Sequence, residues 1–247
     1  MGRWRCLGRR SHCVIREEET FWATRILEGL RKEFGDPERN DISDPFETLI
    51  QTVLSQHTND RNSGLAYQQL EASFRIKPEV LAEADQKEIE RAIRVAGLYR
   101  NKSKIIRALS KTIQDRYEGD LWKVLRLPVE EARKALLELP GVGFKTADIL
   151  LLFCARKASF PVDTHVDRVS RRIGLAGKEV DVEGVRRELQ RKFRAEDYYR
   201  AHILLINLGK RYCIARLPRC HKCPIEGLCR YGNKTRNGAR SRKQSPW

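Results

Sequence analysis

Apolar residues recur at three- and four-residue intervals along almost the whole chain, and alternating apolar and polar runs joined by hairpin turns are missing. That period places one apolar stripe on each segment and predicts an all-α protein. Trp22, Ile26, Leu30 and Phe34 share a face, with Gly35 as a stop and Pro37 beyond it. Asp44 before Pro45 predicts a capped helix start, and Phe46, Leu49, Ile50, Val53 and Leu54 form the buried stripe that follows. Further helices are expected over 59–74, 80–95, 102–116, 129–137, 145–155, 164–173, 185–193 and 195–209. Their short connections predict a bundle of roughly ten helices with a cysteine-bearing loop packed on one end.

The 247 residues contain 40% hydrophobic side chains, enough to bury a core, which excludes a wholly disordered chain. The longest apolar run, Ile149 to Ala155, falls far short of the roughly 18 residues that span a bilayer. No signal-peptide pattern opens the sequence, so a soluble, cytoplasmic protein is expected, with a short Arg-rich targeting segment over residues 1–13 as the alternative. Lys and Arg number 49 against 33 Asp and Glu, a formal charge of +16, and such an excess points to a polyanionic partner. The two ends, 1–13 and 231–247, carry nine cations and no carboxylate, and read as basic arms.

Cys213, Cys220, Cys223 and Cys229 lie within 17 residues, spaced C-x6-C-x2-C-x5-C. Such clustering in a reducing compartment reads as a metal cage, not a disulfide framework. The spacing leaves both zinc and an iron–sulfur cluster open.

Leu139-Pro140-Gly141-Val142-Gly143-Phe144-Lys145 is the most informative segment. One helix stops, the Pro-Gly-x-Gly turn doubles back, and the next helix begins with unpaired amides facing outward, which suits a phosphate. A mononucleotide loop would need Gly where this chain has Phe144. Lys145 opens a helix whose next turns are apolar all round, so its amine is expected at a partly desolvated mouth. Desolvation and the helix N-terminus both favour the neutral amine that attacks a carbonyl-like carbon. From there a helix of about 18 Å and a return segment of about 20 Å are long enough for Asp163 to return beside Lys145. A carboxylate there takes a proton or stabilises a cationic sugar-like transition state. Asp163 also reads as a helix cap, with Thr164 to Asp167 resembling a capping box one residue later.

These residues, with Pro45-Phe46-Glu47-x-Leu49-Ile50, Gly97-Leu98-Tyr99, Pro161-Val162-Asp163-Thr164-His165-Val166-Asp167-Arg168 and the four-cysteine loop, resemble the helix-hairpin-helix DNA glycosylases, most closely the endonuclease III type. The resemblance implies a six-helix barrel domain over 45–157 and a second, discontinuous α domain over 14–44 and 158–230 that carries a [4Fe–4S] loop. It implies Lys145 as nucleophile and Asp163 as its catalytic partner, with Cys213, Cys220, Cys223 and Cys229 as cluster ligands. The implied partner is damaged double-stranded DNA and the implied state a monomer. Lys145 favours a bifunctional glycosylase and abasic-site lyase acting on oxidised pyrimidines; a monofunctional mismatch glycosylase and a non-catalytic DNA-binding module are the rivals. The family's loop typically reads L-S-x-Q-x-x-D, and here His57 stands at the Gln position with Gln56 before it. Expected DNA contacts are therefore Gln56, His57, Leu139, Gly141, Val142 and Gly143, with Arg216, Arg219 and Lys222 on the cluster loop.

Overall fold

The opening apolar stripe does lie on a helix: α1 (Leu7–Phe34) buries Ala23, Ile26, Leu27 and Leu30 and ends where Gly35 turns left-handed, φ +79°. The structure, a computed structural model, describes residues 7–39 and 44–231, with side chains from residue 17 onward. Most of both basic ends lies outside those residues, although the backbone is already helical from Leu7. No strand occurs among the described residues, and no helix is long and apolar enough to cross a membrane.

The chain divides into two units, Asn40–Pro161 and Met1–Arg39 with Val162–Trp247. The first begins at α2 (Pro45–Ser55), where Asp44 accepts from the amides of Phe46 and Glu47 at 2.9 and 3.1 Å. Every stripe residue expected on α2 is buried. It continues through α3 (Asp60–Ser73), α4 (Pro78–Glu83), α5 (Gln86–Ala92), α6 (Tyr99–Tyr117), α7 (Trp122–Leu125), α8 (Val129–Leu137) and α9 (Phe144–Ile149). Helix α6 packs against α2, α4 and α5, and Leu49, Ile50, Leu70, Leu81, Ile106, Leu109 and Leu136 meet in one core.

The helix expected over 80–95 is two helices, because Asp85 caps a new start by accepting from Lys87 and Glu88. That over 145–155 is α9 followed by a π-turn, Leu150–Cys154.

In the second unit, α12 (Tyr198–Arg211) packs against α1 and against α10 (Thr164–Ile173), and α11 (Val182–Lys192) against α1 and α10. After α12 the chain is irregular, broken by two short 3₁₀ turns at Cys220–Lys222 and Glu226–Leu228. Trp22 Nε1 on α1 donates to the Leu228 carbonyl at 3.2 Å, and the Arg230 guanidinium lies 4.0 Å from the Trp22 ring centre.

Candidate active site

In the first unit, α8 and α9 form a hairpin whose turn contains the two glycines. Gly141 has φ +75°, and a Cβ there would meet Ile105 Cγ2 at 2.4 Å, so the fold itself demands glycine. Gly143 differs: it is the N-cap of α9, extended at φ −99° and ψ 179°, and a Cβ would meet nothing within 4 Å. The fold does not need glycine at 143, and its bareness leaves the first amides of α9 uncovered. Leu139 and Val142 are buried, so these two expected contacts can offer only main chain. Lys145 sits half-buried on the first turn of α9, beside Phe144, which is 47% exposed.

Arg133 braces the hairpin from within. It donates to both carboxylate oxygens of Asp148 at 2.8 and 3.2 Å, while Ser159 Oγ donates to Asp148 Oδ1 at 2.6 Å, and all three are buried. The same guanidinium lies 5.0 Å from the Phe144 ring centre. Lys145 is therefore held on a turn whose two sides are bound together by a buried ion pair.

The loop after α2 meets this hairpin. Gln56 Nε2 donates to the Gly141 carbonyl at 3.3 Å, so the Gln56 amide is engaged within the protein. His57 is exposed and held at φ +53°, a conformation that costs a non-glycine residue on the order of 1 kcal/mol. Leu98 is a second such residue: 58% exposed, φ +47°, following Gly97 at φ +65°. The sequence carried Gly97-Leu98-Tyr99 without a role for Leu98. Leu98 thus displays an apolar side chain to solvent from strained backbone. The sequence signal was glycine before an apolar residue at a helix start.

In the second unit Asp163 is the N-cap of α10, its Oδ1 accepting from the amides of His165 and Val166 at 2.9 and 2.8 Å. The capping box expected from Thr164 to Asp167 does not form: Thr164 is already helical, the cap is Asp163 alone, and Val166 three residues on has no acceptor to return the bond. Burial pushes the His165 imidazole down, helped by Arg168 and Lys210 and opposed by Asp163 and the Gly209 carbonyl. Arg168 reaches His165 Nδ1 at 3.2 Å and the carbonyls of Gly209 and Cys213 at 3.0 and 3.1 Å, joining α10 to the cysteine loop. Lys145 and Asp163 belong to different units.

Cys213, Cys220, Cys223 and Cys229 line one cavity of about 20 Å³, walled by Ile173, Leu208 and Pro218. Burial pushes the Cys223 thiol up to about 11, against a hydrogen bond from the Ile225 amide; Cys229, Cys213 and Cys220 add to the rise. Four sulfurs that repel one another as thiolates in a shared cavity are the donor set a soft, positively charged metal group would relieve. Among the described residues no three His, Cys, Asp or Glu side chains are gathered tightly enough for a single ion. Arg172 donates to the carbonyls of Ile214 and Ala215 at 2.8 and 2.6 Å, and its NH1 lies 3.6 Å from Cys213 Sγ. Arg216, Arg219 and Lys222 are exposed on the loop, with no carboxylate partner among the described residues.

Residues 50–195 match the HhH-GPD superfamily base excision DNA repair protein family. The chain belongs to that superfamily. It is 33% identical over 218 residues to endonuclease III of Sulfolobus acidocaldarius, covering 85% of this chain and 96% of that one. Endonuclease III of Bacillus subtilis is 36% identical over 192 residues, covering 78% and 84%. Among solved structures, a trapped endonuclease III–DNA covalent intermediate is similar at TM-score 0.73 and 32% identity, covering 84% of this chain and 95% of that one. A thermostable thymine-DNA glycosylase, at 21% identity and TM-score 0.71, shares the fold. The all-α, helix-hairpin-helix architecture expected from the sequence is that of this superfamily.

Proposed function

We propose that this superfamily member is a base excision repair DNA glycosylase and abasic-site lyase acting as a monomer on damaged duplex DNA in the cytoplasm, with oxidised pyrimidines as its substrate class. The observation that carries the reading is Lys145 on the first turn of α9, two residues after the uncovered Gly143, in a chain similar over most of its length to an endonuclease III trapped covalently on DNA.

The damaged nucleotide leaves the stack, at a cost of a few kcal/mol that is smaller for a damaged base. The amides at the start of α9 hold a flanking phosphate while His57 and Leu98 fill the vacated space. The Nζ of Lys145 attacks C1′; the glycosidic bond breaks, and its electron pair leaves with the base, which takes up a proton. The Asp163 carboxylate has the role of stabilising the developing sugar cation and taking the proton that Nζ gives up. The sugar opens to an iminium, loss of a 2′ proton drives β-elimination, and the C3′–O bond breaks with the 3′ phosphate as leaving group. Water then frees Lys145 and the unsaturated aldehyde end. Cys213, Cys220, Cys223 and Cys229 would hold a [4Fe–4S] cluster, whose role here is to stiffen the loop that presents Arg216, Arg219 and Lys222 to phosphates.

Borohydride trapping tests the reading. With a duplex containing an abasic site, wild-type protein is expected to form a stable covalent complex and Lys145→Ala none. Equal trapping by the two would remove Lys145 from the chemistry, and absence of trapping with retained base excision would make the enzyme monofunctional. Purified protein is expected to be brown and to contain iron with inorganic sulfide.

A further inference from the structure

Lys102, on the first turn of α6, is 2% exposed, and a lysine buried to that degree is unusual. Its Nζ donates to two main-chain carbonyls, Leu54 at 2.8 Å and Ala96 at 3.0 Å. Burial alone pushes its ammonium down, with no charged neighbour contributing. Its burial is offset by the two carbonyls it serves, each at the end of a helical segment.

The two carbonyls stand at informative places. Leu54 is next to last in α2, three residues before His57, and Ala96 ends a 3₁₀ turn two residues before Leu98. His57 and Leu98 are both strained at positive φ and both exposed. The main-chain amide of Lys102 also donates to the Leu98 carbonyl at 2.9 Å, so one residue grips that loop on both sides of its turn. Gln56 in turn ties the His57 loop to the hairpin at Gly141.

We propose that Lys102 is a positioning residue that locks the roots of the His57 and Leu98 loops to each other, so that the two side chains enter the DNA as one wedge and hold the damaged base extruded. The inference rests on the glycosylase reading and adds to it the element that sets base extrusion. A rigid pair of loops pre-forms the wedge, so that ordering it during binding no longer opposes extrusion. An abasic nucleotide needs far less help to leave the stack, so loss of the lock falls on base excision more than on strand cleavage at an abasic site.

The test compares Lys102→Met, which keeps length and apolar bulk but donates nothing, with wild type on two duplexes, one bearing thymine glycol and one an abasic site. Single-turnover excision is expected to fall at least tenfold more than abasic-site cleavage. The rise in 2-aminopurine fluorescence on extrusion should shrink in parallel, read well below the melting temperature of the variant, which should fall because two buried carbonyls lose their donor. An unchanged ratio of the two activities overturns the proposal. Lys102→Gln, whose amide can serve one carbonyl, carries the same comparison should the Met variant fail to fold. A further arm leaves Lys102 intact: His57→Ala and Leu98→Ala together should lose no more extrusion signal than the worse single variant, and additive losses would overturn the shared lock. Wild-type protein inactive on both duplexes would instead defeat the glycosylase reading itself.

Discussion

Two glycines two positions apart answer to different demands, and alanine separates them. Gly141→Ala combines a left-handed alanine, at about 1–2 kcal/mol, with a clash against the branched Ile105 side chain, so a loss of about 2–4 kcal/mol is expected in chemical denaturation. Gly143→Ala meets open space on extended backbone, and its stability should stay within about 0.5 kcal/mol of wild type. If the α9 amides hold a phosphate as proposed, its affinity for an uncleavable duplex should nevertheless fall about tenfold or more, measured by fluorescence anisotropy, because the methyl would stand in the phosphate's path. Asp163 admits a similar separation. Asparagine caps helices about as well as aspartate, so Asp163→Asn should change stability by less than about 1 kcal/mol, while base excision falls a hundredfold or more for want of a carboxylate. Unimpaired excision would reduce Asp163 to a cap. The tight turn at Gly141 and the cap at Asp163 were legible in the sequence, because both follow from residue type and spacing. Lys102 was not, since a lysine in a helical pattern reads as solvated; Leu98 was marked only by the glycine before it, which says nothing of the strain on its own backbone.

Between helices, the hairpin depends on the buried Arg133–Asp148 pair and on Ser159, which donates to the same carboxylate. Removing one member leaves a buried charge uncompensated. Arg133→Met is expected to cost about 3–5 kcal/mol, and the Arg133→Met, Asp148→Leu double variant to recover a large part of it, read from denaturant midpoints as a double-mutant cycle. Additive losses would mean that the two side chains do not act as a pair. This brace was hidden in the sequence, where Arg133 sits among Glu130, Glu131 and Lys134 and reads as part of a charged outer face. Helix boundaries were legible where a cap announced them, as at Asp44. The break between α4 and α5 had a signal too, Asp85 with Glu88 three residues on, but the apolar stripe runs through it and masks the cap. The four residues of α7 are too few to show a period. The change from α9 to a π-turn leaves no trace, since Leu150 to Phe153 is apolar whichever way the turn is wound.

Across the whole chain, a charge of +16 says that DNA affinity should be steeply salt-dependent, but not which cations meet phosphates. The structure narrows the choice. At the end of α12 Arg211 is paired with Glu33 at 3.2 Å, and on the cysteine loop Arg230 lies over Trp22, whereas Arg216, Arg219 and Lys222 point to solvent without a carboxylate partner among the described residues. Each of the three that neutralises a phosphate displaces counterions. Changing it to alanine should therefore lower the slope of log affinity against log salt by about 0.9, equally for damaged and undamaged duplex. The Arg211→Ala slope should move less, because its charge is already shared with Glu33. The loop's main chain is held by Arg168, by Arg172 and by the Trp22 contact at Leu228, and its sulfurs share one cavity. If a cluster at Cys213, Cys220, Cys223 and Cys229 completes that framework, protein stripped of iron should show the reduced slope of the triple alanine variant while Lys145 still traps an abasic site, weakly, at low salt. A slope indifferent to both treatments would place the phosphate contacts elsewhere on the molecule and leave the cysteine loop with a purely structural role.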